Sequence, residues 1–412
     1  MMDSPEARPL AAAPWLFGRQ GLALLVLVTA IAATFLATDV TYLAGSLLLV
    51  GLTARAWAAL AFVRVTYTRS LSRQRAFRDD ELILESTLGN PRLLPLPWVE
   101  VWEQLPVALR PESPRERSYV DLERVWVSRG LAVWPYRRVR WRRKLVCSRR
   151  GVFQLGDVRL RTGDPFGFFE RERSFGGSLS TQQILVYPRL IPLRRLALPP
   201  HHPSLDVVSP RSHVTDPTRT ATVREYRPDD PQRLIHWAST ARRGSLQVRV
   251  LEPATSLHVS LVLDARGFNF GIYREELLEQ TLSAIASIAV YLQGQGAPTA
   301  FLTNTATPVE IPPGASVPQL QSTLESLARF SPTPGPNVVP WALEYLPAGN
   351  TVILFSSDVS PDLGASVSQL QQAGLRVLLV VASSEETGRL APAGALRITP
   401  GCDLAALLEG RT

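Results

Sequence analysis

The chain has 412 residues, a length that allows two or three domains and a sizeable hydrophobic core. Its formal net charge is +8, and Lys144 is its only lysine, so a mechanism built on a catalytic lysine is disfavoured. The two cysteines, Cys147 and Cys402, lie far apart without paired spacing, which argues against a disulfide framework and is typical of a reducing compartment.

The N-terminal region is dominated by two apolar runs. Residues 1–14 are short, polar and proline-bearing, and we expect them to be disordered. Residues 15–63 predict two transmembrane helices, because an uncharged run over 21–37 is followed after a short break by a second run over 42–63. A cleaved signal peptide is the alternative for the first run. The tight turn into a second apolar run favours a helical hairpin.

The charges around these runs predict an orientation. Arginines lie outside both ends of the hairpin, whereas the break between the runs carries only Asp39. Arg55, inside the second run, is expected near the cytoplasmic end, where its side chain can reach water. The positive-inside rule places both termini and residues 64–412 in the cytoplasm, at the plasma (inner) membrane. Residues 64–80 are predicted to be a basic juxtamembrane segment, facing the anionic lipid bilayer.

The next region is predicted to be all-β. Residues 81–196 consist of short alternating apolar runs broken by Pro, Gly and Ser, a pattern that indicates a β-sandwich domain. A dense basic run over 137–150 is interpreted as a solvated or membrane-facing edge. It lacks a recognition-helix or base-stacking pattern, so no nucleic-acid partner is expected. Residues 197–220 are rich in Pro, Ser and His and predict a linker.

A block over residues 221–256 concentrates arginines, carboxylates and aromatic residues. Asp230 followed by Pro231 predicts the N-cap and first position of a short helix, and Gly244 suits a left-handed cap at its end.

A strand is predicted after this helix. Leu246, Val248 and Val250 alternate with Gln247 and Arg249, which is the period of a half-buried strand. Two interpretations of the whole block stay open. Its arginines pair with nearby carboxylates to fix a loop between two domains, or they contact a partner or ligand directly.

The spacing of this block resembles the signature of a bacterial family known only as domain of unknown function fifty-eight. The residues that carry the resemblance are Arg224, Glu225, Tyr226, Pro228, Asp230, Arg233, Ile235, Trp237, Thr240, Ala241, Arg242, Gly244, Leu246 and Val248. Asp229 stands where that family usually has glycine. Residues 148–156 and 163–169 resemble the same family's sandwich region. From this set we take an interaction signature of Arg224, Glu225, Tyr226, Asp230, Arg233, Trp237 and Arg242.

The C-terminal region, residues 257–412, changes to alternating strands and helices. Near-continuous apolar strands with helical crossovers predict a parallel sheet covered on both faces. The arrangement is similar to a von Willebrand factor A-like (Rossmann-like) α/β domain, as the family resemblance implies. The predicted fold is therefore multidomain: a transmembrane hairpin, a β-sandwich and this α/β domain.

Such A-type domains usually hold a divalent metal at the carboxyl ends of their strands. The resemblance implies an Asp-x-Ser-x-Ser pattern after the first strand, but here Asp264 is followed by Arg266 and Phe268 at the hydroxyl positions. Asp358 matches a later acidic position. We interpret Asp264, Arg266 and Asp358 as a metal-free pseudo-site with an arginine–aspartate pair, with divalent metal binding as the alternative. No catalytic residues, cofactor or metal are assigned.

These features predict a membrane-anchored, cytoplasm-facing, non-enzymatic interaction or adaptor protein. The family resemblance implies work with a MoxR-type AAA+ ATPase in the assembly or remodelling of envelope proteins. The alternative is a metal-dependent hydrolase that uses Asp264 and Asp358.

Overall fold

The fold is described from a computed structural model. It describes residues 15–35, 38–111, 117–121, 124–176, 182–197, 215–227, 230, 232–253, 258–268, 273–333, 335–347, 349–359, 361–384, 391–392 and 394–410. The predicted disordered stretch 1–14 lies outside these ranges. The chain forms two compact units, Met1–Arg189 and Leu190–Thr412.

The first unit begins with two helices. A short 3-10 helix over Trp15–Phe17 precedes α1 (Arg19–Thr34) and α2 (Thr38–Leu60). In the described part of the chain, α2 is the one helix that is long and apolar enough to cross a membrane, and α1 is apolar but shorter.

Small residues line the buried side of α2. They are Ala44, Gly51, Ala54 and Ala58, which recur at spacings of three, four and seven residues. A Cβ on Gly51 would lie 2.6 Å from the Phe17 ring, so this glycine is needed for the close approach. Small interfacial residues of this kind allow two apolar helices to pack tightly.

The rest of the first unit is a β-sandwich. Its main sheets have the strand orders β1-β3-β8-β5 and β11-β10-β4-β7-β6, with a smaller sheet β2-β12-β9. The strands are β1 (Thr66–Leu71), β2 (Arg75–Phe77), β3 (Glu81–Asn90), β4 (Leu96–Pro106), β5 (Leu109–Pro111), β6 (Arg117–Asp121), β7 (Arg124–Val133), β8 (Arg137–Cys147), β9 (Gly151–Gln154), β10 (Val158–Gly163), β11 (Glu170–Phe175) and β12 (Gln183–Tyr187).

Two predicted boundaries of this region need correction. Residues 64–80 are not only a juxtamembrane segment, because β1 and β2 lie within them and pair with β3 and β12. In β1 the buried residues alternate with exposed ones, so the strand belongs to the sandwich. The sandwich also ends at Arg189 and not at residue 196, since Arg194 donates its backbone N–H to Glu409 (2.7 Å) in the second unit.

The second unit opens with a hairpin. It comprises β13 (Thr215–Glu225), a 3-10 helix over Gln232–Leu234, α3 (Trp237–Arg243) and β14 (Gln247–Pro253), with β13 and β14 antiparallel. Because β13 begins at Thr215, the predicted linker 197–220 includes the start of a strand. Residues 198–214 of that linker lie outside the described ranges.

An α/β sheet with the strand order β17-β16-β15-β18-β19-β20 forms the body of this unit. Its pairings are parallel except that between β16 and β17. The elements are β15 (Val259–Leu263), α4 (Arg274–Gly294), β16 (Thr299–Thr303), β17 (Val309–Gly314), α5 (Val317–Arg329), α6 (Val338–Tyr345), β18 (Thr351–Ser356), α7 (Pro361–Gln372), β19 (Arg376–Ala382), β20 (Leu396–Ile398) and α8 (Leu404–Glu409). β17 and α6 were not predicted.

The order of the parallel strands reverses at β15. From β15 the chain passes through α4 to β16 on one side, whereas β18 and β19 extend the sheet on the other side. In open α/β sheets, ligand sites lie outside the carboxyl ends of the strands at such a switch point. The residues that follow β15, β16 and β18 are therefore the first place to look for chemistry.

Candidate functional site

Asp264 lies at this switch point, directly after β15. Its backbone N–H donates to the carbonyl of Phe355 (2.8 Å), which continues the ladder between β15 and β18 by one bond. The side chain is buried, so its charge needs compensation from neighbouring donors.

Arg266 provides most of that compensation. Its Nε donates to Asp264 Oδ1 (3.1 Å) and its Nη2 to Oδ2 (3.0 Å), a two-pronged ion pair. The backbone N–H of Arg266 also donates to Asp264 Oδ1 (3.2 Å). The Asp264 side chain is 1% exposed and that of Arg266 is 35% exposed. The hydrogen bond to Asp264 raises the pKa of the Arg266 guanidinium, and the charges of Asp358 and Asp362 add to this.

Asn304 completes the group, and sequence reasoning missed it. Its Nδ2 donates to Asp264 Oδ1 (2.9 Å) and to the carbonyl of Pro336 (2.8 Å), and its Oδ1 accepts from the N–H of Ala265 (2.7 Å). The available signal was its position, since Asn304 is the first residue after the buried strand β16. We call Asp264, Arg266 and Asn304 the switch-point cluster.

Asp358 lies on the loop that follows β18 and is half-buried. Its backbone N–H donates to Ser356 Oγ (3.1 Å). The preceding residue, Ser357, approaches Gly267, where a Cβ would come within 2.5 Å of Ser357 Oγ. Gly267 has φ +88°, a conformation that side chains disfavour, so glycine is required at this close approach.

The residues at the switch point do not fit a divalent cation. The two oxygens of Asp264 already accept hydrogen bonds from Arg266 and Asn304, and Phe268, at the second hydroxyl position, is buried. Within the described ranges, His, Cys, Asp and Glu form no group of three or more that could hold a metal ion. A cation would have to displace the tethered guanidinium to reach Asp264.

The interaction signature contains a second arginine–aspartate pair. Arg224 donates to both oxygens of Asp230, from Nη1 (2.7 Å) and Nη2 (2.5 Å), and the backbone N–H of Arg227 adds a bond of 2.8 Å. The Arg224 bond, followed by the Arg227 N–H, holds the pKa of the Asp230 carboxyl below its usual range.

The predicted helix start at Asp230 was wrong for α3, although a 3-10 helix over Gln232–Leu234 begins two residues after Asp230. The Asp230 carboxylate is taken by Arg224, and α3 begins later, where His236 Nδ1 caps it by accepting from the Ser239 N–H (3.1 Å). The predicted end is confirmed, since Gly244 has φ 72° and donates its N–H to the carbonyl of Thr240. Pro231 lies outside the described residues.

Hydrogen bonds from the backbone of Gln247 connect α3 to β14. Its backbone N–H donates to Thr240 Oγ1 (3.0 Å), and its carbonyl accepts from the His236 N–H (2.8 Å). The side chain is fully buried, while Leu246 is exposed, so the simple alternation from Leu246 through Val250 was wrong at its first two positions. At these two positions the hydrogen bonds of Gln247 with Thr240 and His236 decide which residue is buried, and the apolar character of Leu246 does not.

The outer face of α3 has the opposite character. Trp237 is 68% exposed, and Ala238, Ala241 and Arg242 beside it are also exposed. Residues three and four apart share one side of a helix, so these four form a single surface, which we call the α3 face.

The other signature residues are placed as follows. Glu225 is exposed at the end of β13. Tyr226 is half-buried, and its backbone N–H donates to the carbonyl of Leu246 (2.9 Å). The side chain of Arg233 lies outside the described part. Within the signature, Arg224 and Asp230 therefore form an ion pair with each other, whereas Trp237 and Arg242 are exposed to solvent.

Comparison with known proteins identifies similarity in this unit. Residues 222–396 match the model of a family described as "Protein of unknown function DUF58". That range contains both the α3 face and the switch-point cluster, so the match supports the predicted resemblance to this family over these residues.

A relative in Bacillus subtilis (strain 168), described as "Uncharacterized protein YeaD", is 24% identical over 232 residues. That alignment covers 56% of this chain and 54% of the relative, so it spans about half the length of that protein.

Two solved structures show weak similarity to this chain. Proximal thread matrix protein 1 from the mussel byssus is 11% identical, with a TM-score of 0.28 over 37% of this chain and 46% of that chain. A non-cellulosomal cohesin from Archaeoglobus fulgidus is 11% identical, with a TM-score of 0.19 over 27% of this chain and 89% of that chain. TM-scores this low do not establish a shared fold.

Proposed function

We propose that this chain is a membrane-anchored interaction protein that faces the cytoplasm and binds a protein partner through the α3 face. We propose further that the partner is a MoxR-type AAA+ ATPase and that the pair assembles or remodels envelope proteins. The family match over residues 222–396 supports looking for such a partner in this unit.

The exposed Trp237 is the observation on which the proposal rests. A tryptophan that is two-thirds exposed leaves a large apolar ring in water, and tryptophan and arginine are the residues most often found at the centre of protein interfaces. The helix that carries Trp237 is fixed by the hydrogen bond from the Gln247 N–H to Thr240 Oγ1 and by the His236 cap. A side chain on a fixed support binds with little loss of conformational entropy.

Membrane anchorage is proposed through α1 and α2 as a two-span hairpin. α2 has the length and apolar composition for a span. The small residues on its buried side and its packing with Phe17 and Leu22 support a tight pair of helices. The arginines outside both ends of the hairpin support cytoplasmic termini.

The second unit is proposed to be a von Willebrand factor A-like domain. Its strand order and its antiparallel edge strand β17 support a doubly wound arrangement with its ligand edge at the switch point. In this proposal the Asp264–Arg266 pair takes the place of a bound cation. A hydrolase that uses Asp264 and Asp358 is the weaker candidate, since the Asp264 carboxylate is engaged by Arg266.

Affinity purification of the full chain from detergent-solubilised membranes tests the partner. The parent chain is expected to retain an AAA+ ATPase, and Trp237→Ala with Arg242→Glu is expected to lose it. Val317→Ala with Arg329→Glu is the matched control, because both residues are exposed on α5, another helix of the same unit. Absence of any such ATPase from the parent sample, with or without nucleotide, would end the partner proposal.

Topology is tested separately in intact cells. A tag after Thr412 is expected to be inaccessible from outside and accessible after the inner membrane is permeabilised. A tag that is accessible in intact cells would reverse the proposed orientation.

A further inference from the structure

The carboxyl end of α2 is bound to the sandwich by two arginines. Arg92 donates to the carbonyls of Leu60 and Ala61, the latter at 2.5 Å, and Arg173 Nη1 donates to the carbonyl of Phe62 (3.1 Å). The carbonyls at the end of a helix carry its negative dipole end, so both arginines place positive charge where it is favourable. The carbonyls of Leu60 and Phe62 also accept from the N–H groups of Val63 (3.1 Å) and Val65 (3.4 Å). One end of the sandwich is therefore fixed at the end of α2.

Two loops of the sandwich lie at that end and are bonded together. The Tyr136 N–H in the β7–β8 turn donates to the carbonyl of Arg92 in the β3–β4 loop (3.2 Å). The buried side chain of Asn90 joins them again, since its Nδ2 donates to the carbonyls of Leu94 (2.9 Å) and Val133 (3.3 Å). The two loops thus form one continuous surface beside the end of the helix.

The side chains on this surface are large, apolar and exposed. Leu93 is 76% exposed, Trp134 71% and Tyr136 69%. We call these three residues the apolar tip. Tyr136 has φ 57°, a conformation that bulky residues rarely adopt, and such strain persists where the surroundings enforce it. Tryptophan and tyrosine are the residues that collect at membrane–water interfaces, where one part of the ring system is apolar and the other is wet.

A second turn supports the same end of the sandwich. In the β10–β11 turn, the buried Asp164 carboxylate accepts from the N–H groups of Phe166 (2.8 Å) and Phe169 (2.5 Å). The Phe168 ring stacks on Phe17 at a centroid distance of 4.5 Å. Phe166 lies against Phe168 at 5.6 Å and remains exposed. The Asp-Pro-Phe-Gly stretch therefore directs aromatic rings toward the start of the hairpin.

The length of α2 and the arginines beside the apolar tip indicate that lipid headgroups cover the tip. The 23 residues of α2 extend about 35 Å at about 1.5 Å per residue, compared with about 30 Å of hydrocarbon, so its ends reach the headgroup layers. Arg64, Arg137 and Arg138 are exposed next to the tip, where cationic side chains meet anionic headgroups.

We infer that Leu93, Trp134 and Tyr136 insert into the headgroup layer and hold the sandwich in one orientation on the bilayer. This inference rests on the proposed membrane anchorage. It adds a second contact with lipid, made by the folded domain and not by the spanning helices. The exposed arginines around the tip give that contact a preference for anionic lipid.

The test uses the full chain in lipid nanodiscs with anionic and zwitterionic lipids. Cys147 and Cys402 are replaced, and one cysteine is introduced by Trp134→Cys, Leu93→Cys, Leu49→Cys or Val152→Cys and labelled with an environment-sensitive fluorophore. Leu49 lies on α2 and reports the span itself. Val152, an exposed apolar residue on β9 near the other end of β8, is the matched control. Spin-labelled lipids with the quencher near the headgroup or deep in the acyl chain then measure depth.

We expect labels at 93 and 134 to be quenched several-fold more strongly by the headgroup quencher than the label at 152, and more so with anionic lipid. The label at 49 should respond to the deep quencher. If position 49 is quenched while 93 and 134 behave like 152, the inference is wrong and the membrane anchorage stands. If position 49 is not quenched either, the anchorage fails and the inference fails with it.

Discussion

Each compact unit contains an arginine–carboxylate pair, and the two pairs differ in their access to water. In the sandwich, Glu103 and Arg143 are both buried, with side-chain exposures of 1% and 3%. In the α/β unit, Asp264 is equally buried, but Arg266 is one-third exposed. The carboxylates are alike, so the exposure of the arginine distinguishes the two sites.

The environment of Glu103 shows what full burial requires. Its carboxylate accepts from Arg143, from Tyr67 and from Ser86 Oγ (2.5 Å). Burial alone raises the pKa of Glu103, but the charge of Arg143 and these hydrogen bonds outweigh it and the pKa is lowered. Burial and the nearby Glu103 charge raise the pKa of Tyr67. Glu103 and Arg143 are both buried, so neither side chain can reach water unless the sandwich unfolds. Arg266 is partly exposed, so its side chain can rotate into water without unfolding.

The largest expected effect comes from breaking the buried pair. Arg143→Met leaves Glu103 as an uncompensated buried charge and should lower the free energy of unfolding by about 3–5 kcal/mol. Glu103→Gln should have a similar effect on the isolated Arg143. The double variant should recover much of the loss, because a buried pair replaced as a whole often costs little. Chemical denaturation of the full chain in detergent measures all three.

Glu85→Gln is the control, since Glu85 pairs with Arg140 and Arg142 at the surface. Its unfolding midpoint should not change.

The Glu103–Arg143 pair also predicts that the chain loses stability in acid. A lowered pKa in the folded state contributes stability above the unfolded value of about 4.3, and the contribution is lost as pH falls through the folded pKa. A double variant that is as unstable as either single variant would show that the pair is not the cause.

Thiol reactivity compares the two units without any substitution. Cys147 is fully buried in the sandwich, and burial, with the charges of Asp80 and Asp79, raises its pKa from 9 to about 11. Its thiolate fraction at pH 8 is then about a hundredfold lower. Cys402 in the α/β unit is partly exposed. A thiol reagent at pH 8 should therefore modify Cys402 first, and Cys147 only after unfolding; equal rates would contradict the contrast.

Breaking the partly exposed Asp264–Arg266 pair should reduce stability less than breaking the buried pair, and an added divalent metal should restore part of that stability. Arg266→Ser removes two charge-assisted hydrogen bonds from Asp264, but water can reach the space and Asn304 remains. We expect a loss of about 1–3 kcal/mol. The variant should also gain thermal stability when Mg²⁺ or Mn²⁺ is added, since the guanidinium no longer blocks the approach of a cation to Asp264.

The parent chain should show no such shift with either metal. Arg266→Lys is the control that keeps a tethered cation and should remain insensitive to metal. A metal-dependent shift in the parent chain would favour the hydrolase alternative over the tethered-cation interpretation.

The same comparison shows how far sequence reasoning could go. Residues 99, 101, 103 and 105 alternate along β4, so period two alone places Glu103 on the buried face. Its partner Arg143 comes from a strand of the other sheet, and no local pattern connects the two. The Asp264–Arg266 pair is two residues apart and was predictable from the departure at the expected hydroxyl position.

Errors arose where a polar side chain took a role that local patterns assign to another residue. Asp230 has the identity of an N-cap, but Arg224, on the preceding strand, claims its carboxylate. Gln247 is polar yet buried, because the turn around Thr240 supplies its hydrogen bonds. Asn304 follows a buried strand, but its bond to Asp264 depends on the sheet, which brings the ends of β15 and β16 together. The partners lie six, seven and forty residues away, which is beyond the spacing that a helix or strand period compares.

The smallest expected effect on stability is at the α3 face, and it separates folding from binding. Trp237→Ala should change the free energy of unfolding by less than about 0.5 kcal/mol, since the ring makes few contacts within its unit. Trp141→Ala is the contrast, because that buried ring packs in the sandwich core and its removal should cost about 3–5 kcal/mol. Denaturation curves of both variants provide the comparison. If Trp237→Ala destabilised the chain as much as Trp141→Ala does, the exposed tryptophan would be part of the fold and a loss of partner capture could not be assigned to the α3 face.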